Sequence, residues 1–400
     1  NPKPQTPNPK PQTPNPCLLL DWIAVSVYSQ LMSLVVTVAV GTYEGGLLVY
    51  KVDLEEDIHL RSFSSKDASG TLKSMLFSGR HLYTAGRDEA VRVYDTKRRI
   101  QQGVLTAQNG TVEKLLHLED YLFVACSDGT VVLYGTKDNA YYHTLYPHNK
   151  SILDMDIHRS GRLMVSYAMD KKLKLTDLAS VKEVYHKNIN KAVDFVRFAP
   201  DDNLLFTVGN TLNLFNSENN TESLLKKLNS RITCLSVLSS LVLMGDDSGY
   251  MHIGQYPSLS MISFRVYTGN RVKAFNLFKD EGIMVTISTE GTVSVWDVES
   301  ILAVPGQIEG GDIDLGDSIH PLHSFTIESR LITLACRLER KKETEDPVKL
   351  RSSTLDRKGI LRGVSRRGRL VRLEGRRGHA VRERLWKLKR EEKIRINNGK

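Results

Sequence analysis

Cysteine is scarce in this 400-residue chain, with only Cys17, Cys126, Cys234 and Cys336. Four residues so widely scattered make neither a disulfide framework nor a Cys-x-x-Cys metal knuckle, and a reducing compartment is the simpler setting. Long hydrophobic runs are lacking too. The richest stretch, Cys17 to Val40, is interrupted by Asp21, Ser26, Ser29, Gln30 and Ser33. It has no basic flank followed by a small-residue cleavage site, so no signal peptide or membrane contact is expected. The sequons at Asn109 and Asn219 then read as ordinary turn sequence. Motifs that carry chemistry are missing as well: there is no Gly-x-x-x-x-Gly-Lys loop, no nucleophile elbow and no His-Glu-x-x-His. Neither an enzyme nor a cofactor or metal is therefore expected. His143 and His148, five apart, read as satisfied or exposed histidines. Asp154 and Asp156 alternate onto one strand face, but the sequence offers them no base or metal partner.

What is present is unevenly placed. Hydrophobic residues at 40% and charged residues at 25% describe an ordinary chain with a sizeable core. The formal net charge of +9 suggests a polyanionic partner. From Arg337 to Lys400, however, there are 23 Lys+Arg against 9 Asp+Glu, an excess of 14, while the preceding 336 residues carry 32 against 37. Seven of the 13 prolines lie in residues 1–16, where Asn-Pro-Lys-Pro-Gln-Thr-Pro occurs twice and begins a third time. Such a segment favours polyproline II or disorder.

Between these ends the chain repeats. Val38–Tyr50, Leu82–Asp95, Leu122–Tyr134, Leu163–Asp177, Leu204–Phe215, Leu241–Gly254 and Ile283–Asp297 share one plan: an apolar strand, an acidic or Gly-containing turn, and a second strand usually ending near an aromatic. Aligning Tyr50, Tyr94, Tyr134, Thr176, Phe215, Gly254 and Trp296 gives steps of 44, 40, 42, 39, 39 and 42. That is the period of a four-stranded propeller blade, which must stack on its neighbours because one small sheet cannot bury both its faces. Six further strands, at Thr71–Phe77, Thr111–His117, Ser151–Ile157, Ala192–Phe198, Arg231–Leu238 and Arg271–Phe278, are each read as the innermost strand of the module that follows. Six inner strands precede seven modules, and Ser329–Leu334 resembles Ser230–Leu235. The fold expected is thus all-β, a seven-bladed propeller closed by mixing termini. Val36–Tyr50 supplies two strands of the first blade; Leu322–Arg337 supplies its inner strand and the neighbouring outer one. A competing closure uses Ile23–Tyr28 and residues 31–36. On the first reading residues 1–31 are an unstructured Pro-rich extension or a gene-model artefact, with the functional chain starting near Met32. Residues 32–337 are the ring, and 338–400 are a basic tail, disordered or helical on binding.

The module endings look like WD repeats, although only Trp296-Asp297 reads literally Trp-Asp and Pro147-His148 stands nearest to the missing Gly-His. More specifically, the chain resembles the WD-repeat family of p21-activated kinase-interacting proteins, a group that includes the fungal maintenance-of-killer ribosome factor. The match is carried by Val40-Gly41-Thr42-Tyr43-Glu44-Gly45, by Ser78–Glu89, by Val91-Arg92-Val93-Tyr94-Asp95, and by Lys97–Leu105 with its Gly103. It spans about Val35–Arg337, strongest in the first three repeats and weakest in the fifth and sixth. The resemblance implies a WD40-type propeller serving as a nuclear and nucleolar assembly factor for the large (60S) ribosomal subunit. Its partners would be pre-60S assembly factors or ribosomal proteins. It also implies, as the alternative, an adaptor that binds and restrains a p21-activated kinase. A propeller subunit of an RNA-modifying complex is a third class with similar sequence demands.

Function in such a ring must come from loops. Arg87 at a module turn, with Asn109, His148, Lys191, Arg231, Arg271 and Arg330 just before or at inner strands, is expected on one face. There the arginines suit an acidic peptide or phosphate, the plain alternative being solvated loop ends. Asp88, Asp128, Asp170 and Asp247 are expected to brace turns by accepting backbone N–H bonds, with Gly129 or Gly249 at positive φ. In the tail, Arg366, Arg367, Arg376 and Arg377 lie in Arg-Gly pairs suited to RNA phosphates, and Val381–Ile394 has helical spacing. A monomeric ring within a larger complex is expected.

Overall fold

The structure, a computed structural model, describes residues 34–66, 68–217, 219–302 and 312–340; within 341–400 it describes only the backbone of 354–355, 361–364 and 370–372. The Pro-rich segment and the expected start at Met32 lie outside the described residues.

Seven antiparallel blades make the ring. The closing blade, blade I, joins β1 (Leu34–Thr42), β2 (Leu47–Asp53) and β3 (Ile58–Ser65) to the last strand of the ring, β29 (Leu331–Arg340). Blade II is β4 (Leu72–Ser78), β5 (His81–Gly86), β6 (Val91–Asp95) and β7 (Ile100–Leu105); blade III is β8 (Val112–Leu118), β9 (Tyr121–Cys126), β10 (Val131–Gly135) and β11 (Tyr141–Leu145). Blade IV is β12 (Ile152–Ile157), β13 (Leu163–Ala168), β14 (Lys172–Asp177) and β15 (Lys182–Asn188); blade V is β16 (Val196–Phe198), β17 (Leu204–Val208), β18 (Thr211–Asn216) and β19 (Thr221–Lys227). Blade VI is β20 (Ile232–Leu238), β21 (Leu241–Asp246), β22 (Tyr250–Gln255) and β23 (Met261–Arg265). Blade VII is β24 (Val272–Phe278), β25 (Ile283–Ser288), β26 (Thr292–Asp297) and β28 (His323–Thr326). The inner strands β29, β4, β8, β12, β16, β20 and β24 each touch the next, and β24 touches β29, which closes the circle.

The middle strands read as unbroken apolar runs because both their faces are inside. In β9, Leu122, Val124 and Cys126 pack toward blade II, while Phe123 and Ala125 pack toward blade IV. The core is accordingly divided into seven clusters, one in each seam between neighbouring blades. At the closing seam Val36, Val38, Val40 and Val52 meet Ile283, Val285, Ile287, Val293, Val295 and Phe325. Outer strands such as β15 and β19 are polar and mostly exposed. In blades I to V the pairing of third and fourth strands carries a bulge. Charge and bulging together keep such an edge from templating further strands.

Three features depart from the sequence reading. The ring's last strand runs to Arg340, beyond the expected boundary at 337. The inner strand of blade V is only Val196–Phe198 instead of Ala192–Phe198. Just before it, Asp194 and Phe195 both face Thr207: the Asp194 N–H donates to the Thr207 carbonyl (2.9 Å) and the Thr207 N–H to the Phe195 carbonyl (3.0 Å), while the Phe195 N–H turns to Thr207 Oγ1 (3.1 Å) and the Gly209 N–H to Asp194 Oδ2 (3.0 Å). The third is a short helix, α1 (Val298–Leu302), and a strand, β27 (Ile313–Gly316), which adds in parallel to the outer edge of blade VI. Asp312 ties that strand down by accepting Lys226 Nζ (2.6 Å) and the Met261 N–H (3.1 Å).

Residues 341–400 are a separate unit. Where disorder or an induced helix is expected, the described backbone is three short antiparallel strands, β30 (Thr354–Leu355), β31 (Leu361–Val364) and β32 (Leu370–Arg372). Leucine and valine between the Arg-Gly pairs suit extended chain. Arg366, Arg367, Arg376, Arg377 and the helix expected over Val381–Ile394 lie outside the described residues.

Candidate binding surface

One backbone bond recurs round the ring and gathers two sets of loops onto one face. The N–H of the residue just past the second strand donates to the carbonyl of the residue preceding the inner strand. The pairs are Tyr43 to Arg330 (2.9 Å), Arg87 to Thr71 (3.1 Å), Ser127 to Thr111 (2.9 Å), Met169 to Ser151 (2.9 Å) and Asp247 to Arg231 (3.0 Å). In these five blades the bond holds the loops that carry Arg87, Asn109, His148, Arg231 and Arg330 at one side of the propeller, and the shared strand order of the blades places the loops of Lys191 and Arg271 on that side too.

The candidates divide. Arg87, Asn109 and Arg271 are exposed. Arg330 is exposed over the ring of Tyr43, 5.5 Å from its centroid. Arg231 pairs with Asp194 (2.7 Å) and Lys191 with Glu222 (3.1 Å), both at the surface. His148 is a correction: it is 4% exposed and offers nothing to a partner. Its Nδ1 lies 3.0 Å from Asp170 Oδ2 and its Nε2 2.9 Å from Ser166 Oγ. Since the carboxylate only accepts, Nδ1 carries the hydrogen and the Ser166 hydroxyl donates to Nε2. Burial lowers the His148 pKa, and the raising effect of Asp170 does not make up the difference. The imidazole is thus held neutral, locking the loop between β11 and β12 onto blade IV.

Blade VII makes the same lock differently. Tyr267 Oη bonds Thr286 Oγ1 (2.8 Å), which also accepts Trp296 Nε1 (3.0 Å). His148→Ala is expected to lower the unfolding free energy by about 2 kcal/mol, since Ser166 and Asp170 lose their partner. Because the folded pKa is depressed, the wild-type contribution is whole above the unfolded value of about 6.5 and declines as pH falls through it. Urea titrations should therefore show a smaller difference at pH 5.5 than at pH 7.5; equal midpoints at both would mean that the lock carries no stability.

The turn acids behave unequally. Asp128 accepts both the Thr130 N–H (2.9 Å) and the Thr130 hydroxyl (2.7 Å), and Asp170 accepts the Lys172 N–H (3.0 Å). Gly129 sits at φ +93°, where a Cβ would lie 2.4 Å from the His148 carbonyl oxygen. Asp88 instead holds the Arg92 guanidinium. In blade VI the bracing acid is Asp246, one position earlier than expected. It accepts the Ser248 N–H (3.1 Å) and the Tyr250 N–H (2.8 Å), while Asp247 takes the Arg231 N–H (3.1 Å).

Nor are Asp154 and Asp156 without partners. Asp154 is buried and bonds Lys114, Arg197 (2.5 Å) and the Val196 N–H (2.9 Å), and Asp156 accepts the Phe198 N–H (3.0 Å). A second pair, Lys73 with Glu113 (2.6 Å), joins blades II and III. A signal for these was present: Lys73 and Glu113 are 40 residues apart, as are Lys114 and Asp154, one repeat in each case. The described thiols serve packing only. Burial pushes Cys126 and Cys234 up to about 12, leaving no useful thiolate near neutrality.

The WD domain, G-beta repeat family matches residues 139–177, from the outer strand of blade III through the third strand of blade IV, including His148, Ser166 and Asp170. Over 278 residues the chain is 26% identical to p21-activated protein kinase-interacting protein 1-like of Xenopus laevis, covering 66% of this chain and 76% of that protein. It is 19% identical over 278 residues to Shk1 kinase-binding protein 15 of Schizosaccharomyces pombe, covering 68% and 81%. Protein MAK11 of Saccharomyces cerevisiae is 23% identical over 325 residues, covering 66% and 78%.

Proposed function

We propose that this chain, a WD-repeat propeller of the group that includes the p21-activated kinase-interacting proteins and MAK11, is a non-catalytic scaffold in large ribosomal subunit assembly. Its partners on this reading are assembly-factor or ribosomal proteins in the nucleus and nucleolus. The likeness to MAK11 over 66% of the chain is the observation that carries it, and the geometry is in keeping. A closed ring with its loops braced by repeated backbone bonds is a rigid platform, and platforms bind through loops. RNA contact through the tail arginines belongs to the same reading. The second reading, an adaptor that restrains a p21-activated kinase, is favoured by the names of the Xenopus and fission-yeast relatives.

Sedimentation of the native protein with pre-ribosomal particles, run beside a kinase pull-down, separates the two; exclusive recovery with the kinase would overturn the first. The face itself is tested by Arg231, Arg271 and Arg330 changed together to Ser. Only surface contacts are lost, so stability should change by no more than about 1 kcal/mol. Partner capture should fall at least about tenfold, the effect of losing roughly 1.4 kcal/mol. Undiminished capture would remove this face from the function.

A further inference from the structure

Four of the five exposed tyrosines among the described residues, Tyr121, Tyr141, Tyr142 and Tyr146, belong to blade III or the loop leaving it. Aromatics gathered at a surface mark contact sites, because a flat, stiff ring gives a large contact at little entropic cost. Two of them, Tyr141 and Tyr146, 52% and 79% exposed, line a trough of about 230 Å³ with Asn109, Ala107, Thr144 and Asp128. The trough runs from the braced loops along the outer two strands.

We propose that this trough receives an arginine side chain of a partner protein, an inference that rests on the scaffold reading and names the partner's chemistry. Among the described residues, Asp128 is the one charged group in the lining and no cation lines it. Its Oδ1 is engaged by Thr130, while Oδ2 takes no hydrogen bond or ion pair from any described residue. A carboxylate oxygen left open in a trough that two tyrosines also line repels phosphate or an acidic side chain and suits a planar cation. A guanidinium can stack on a ring while its edge donates to the carboxylate; an ammonium lacks the flat face.

The wall is formed before anything binds. Ala107 N–H donates to Tyr134 Oη (2.8 Å), Tyr134 Oη donates to Gln108 Oε1 (2.6 Å), and Gln108 Nε2 donates to the Leu105 carbonyl (2.8 Å). Tyr141 Oη lies 3.1 Å from Thr144 Oγ1, which steadies the ring beside the trough. Little ordering cost then remains to be met on binding.

The test uses the full chain and a labelled Arg/Gly/Ser peptide, with its citrulline and lysine counterparts, read by fluorescence anisotropy. Asp128→Asn keeps an oxygen for the Thr130 bonds and removes the charge; Tyr146→Ala removes an exposed ring with little bearing on folding. Each should weaken the arginine peptide about three- to tenfold, whereas Glu290→Gln, at the equivalent turn of blade VII, should leave it unchanged. The citrulline and lysine peptides should bind more weakly than arginine to the unaltered chain. Arginine binding indifferent to both trough variants, or equal binding of the citrulline or lysine peptide, would overturn the assignment. Sedimentation with pre-ribosomal particles does not depend on this result, so failure of the trough and failure of the scaffold reading are told apart.

Discussion

A chain shortened to end at Ser329 is expected to lose cooperative unfolding altogether, while one ending at Arg340 keeps it. The shortened chain lacks β29, which pairs with β1 from Leu34 opposite Arg340 to Thr42 opposite Leu331. It also lacks the strand that β4 and β24 touch to complete the inner circle. Leu331 and Cys336 are buried in the closing seam, with Leu334 and Leu338 packed against it. Leu331, fully buried, is worth about 1.5–3 kcal/mol, and with the smaller Cys336 and the partly buried Leu334 and Leu338 the loss is a large fraction of the stability of an ordinary domain, about 5–15 kcal/mol. The backbone of β1 would lose its ladder partner as well. Urea titration followed by circular dichroism should show a sigmoidal transition for the longer chain and a shallow drift for the shorter. An equally sharp transition in both would mean that the ring does not need its last strand.

The second large effect is expected at Asp154. Burial alone would push its carboxyl up, but Arg197 and Lys114 on either side, with the Val196 N–H, hold it below the usual carboxylate range. Asp154→Ala leaves two cations facing each other in the protein interior. Breaking a buried ion pair in this way costs about 3–5 kcal/mol, because the remaining charges keep their desolvation penalty without the compensating partner. Replacing all three with Lys114→Met, Asp154→Leu and Arg197→Met should restore much of the loss, since a well-packed apolar trio pays no such penalty. The same carboxyl makes an acid signature. A depressed folded pKa contributes stability above the unfolded value of about 3.9, and that contribution disappears as pH falls toward the folded value. The wild-type chain should therefore weaken below about pH 5 more steeply than the triple variant. Denaturation midpoints for the three proteins across pH check this; a single Asp154→Ala midpoint equal to wild type would show that the triad contributes nothing.

The propeller is legible in the sequence because its period is a physical necessity. Each blade needs two fully buried middle strands, so each repeat carries an apolar run such as Leu122–Cys126 followed by a turn. The seam clusters explain why simple apolar–polar alternation is absent there. Legibility failed where geometry joins residues that no local pattern links. His148 looked like a surface residue because it stands in a loop; its burial follows from Ser166 and Asp170, 18 and 22 positions away. Asp246 and Asp247 are adjacent acids, and only the position where β21 ends decides which one braces the turn. The added strand Ile313–Gly316 is four residues long, too short to register as a period, and its partner β23 belongs to another blade. The trough was half visible, since Asn109 and Asp128 were both singled out, but for separate roles.

The pairing of Val38 with Cys336 has one more consequence. A ribosome adding about 5–20 residues per second takes roughly 15–60 seconds to make the stretch between them. Throughout that interval the nascent chain presents an open curved stack whose first valine-rich strand waits for a mate not yet synthesised. Any chaperone devoted to this protein has that strand to shield and that length of time in which to do it.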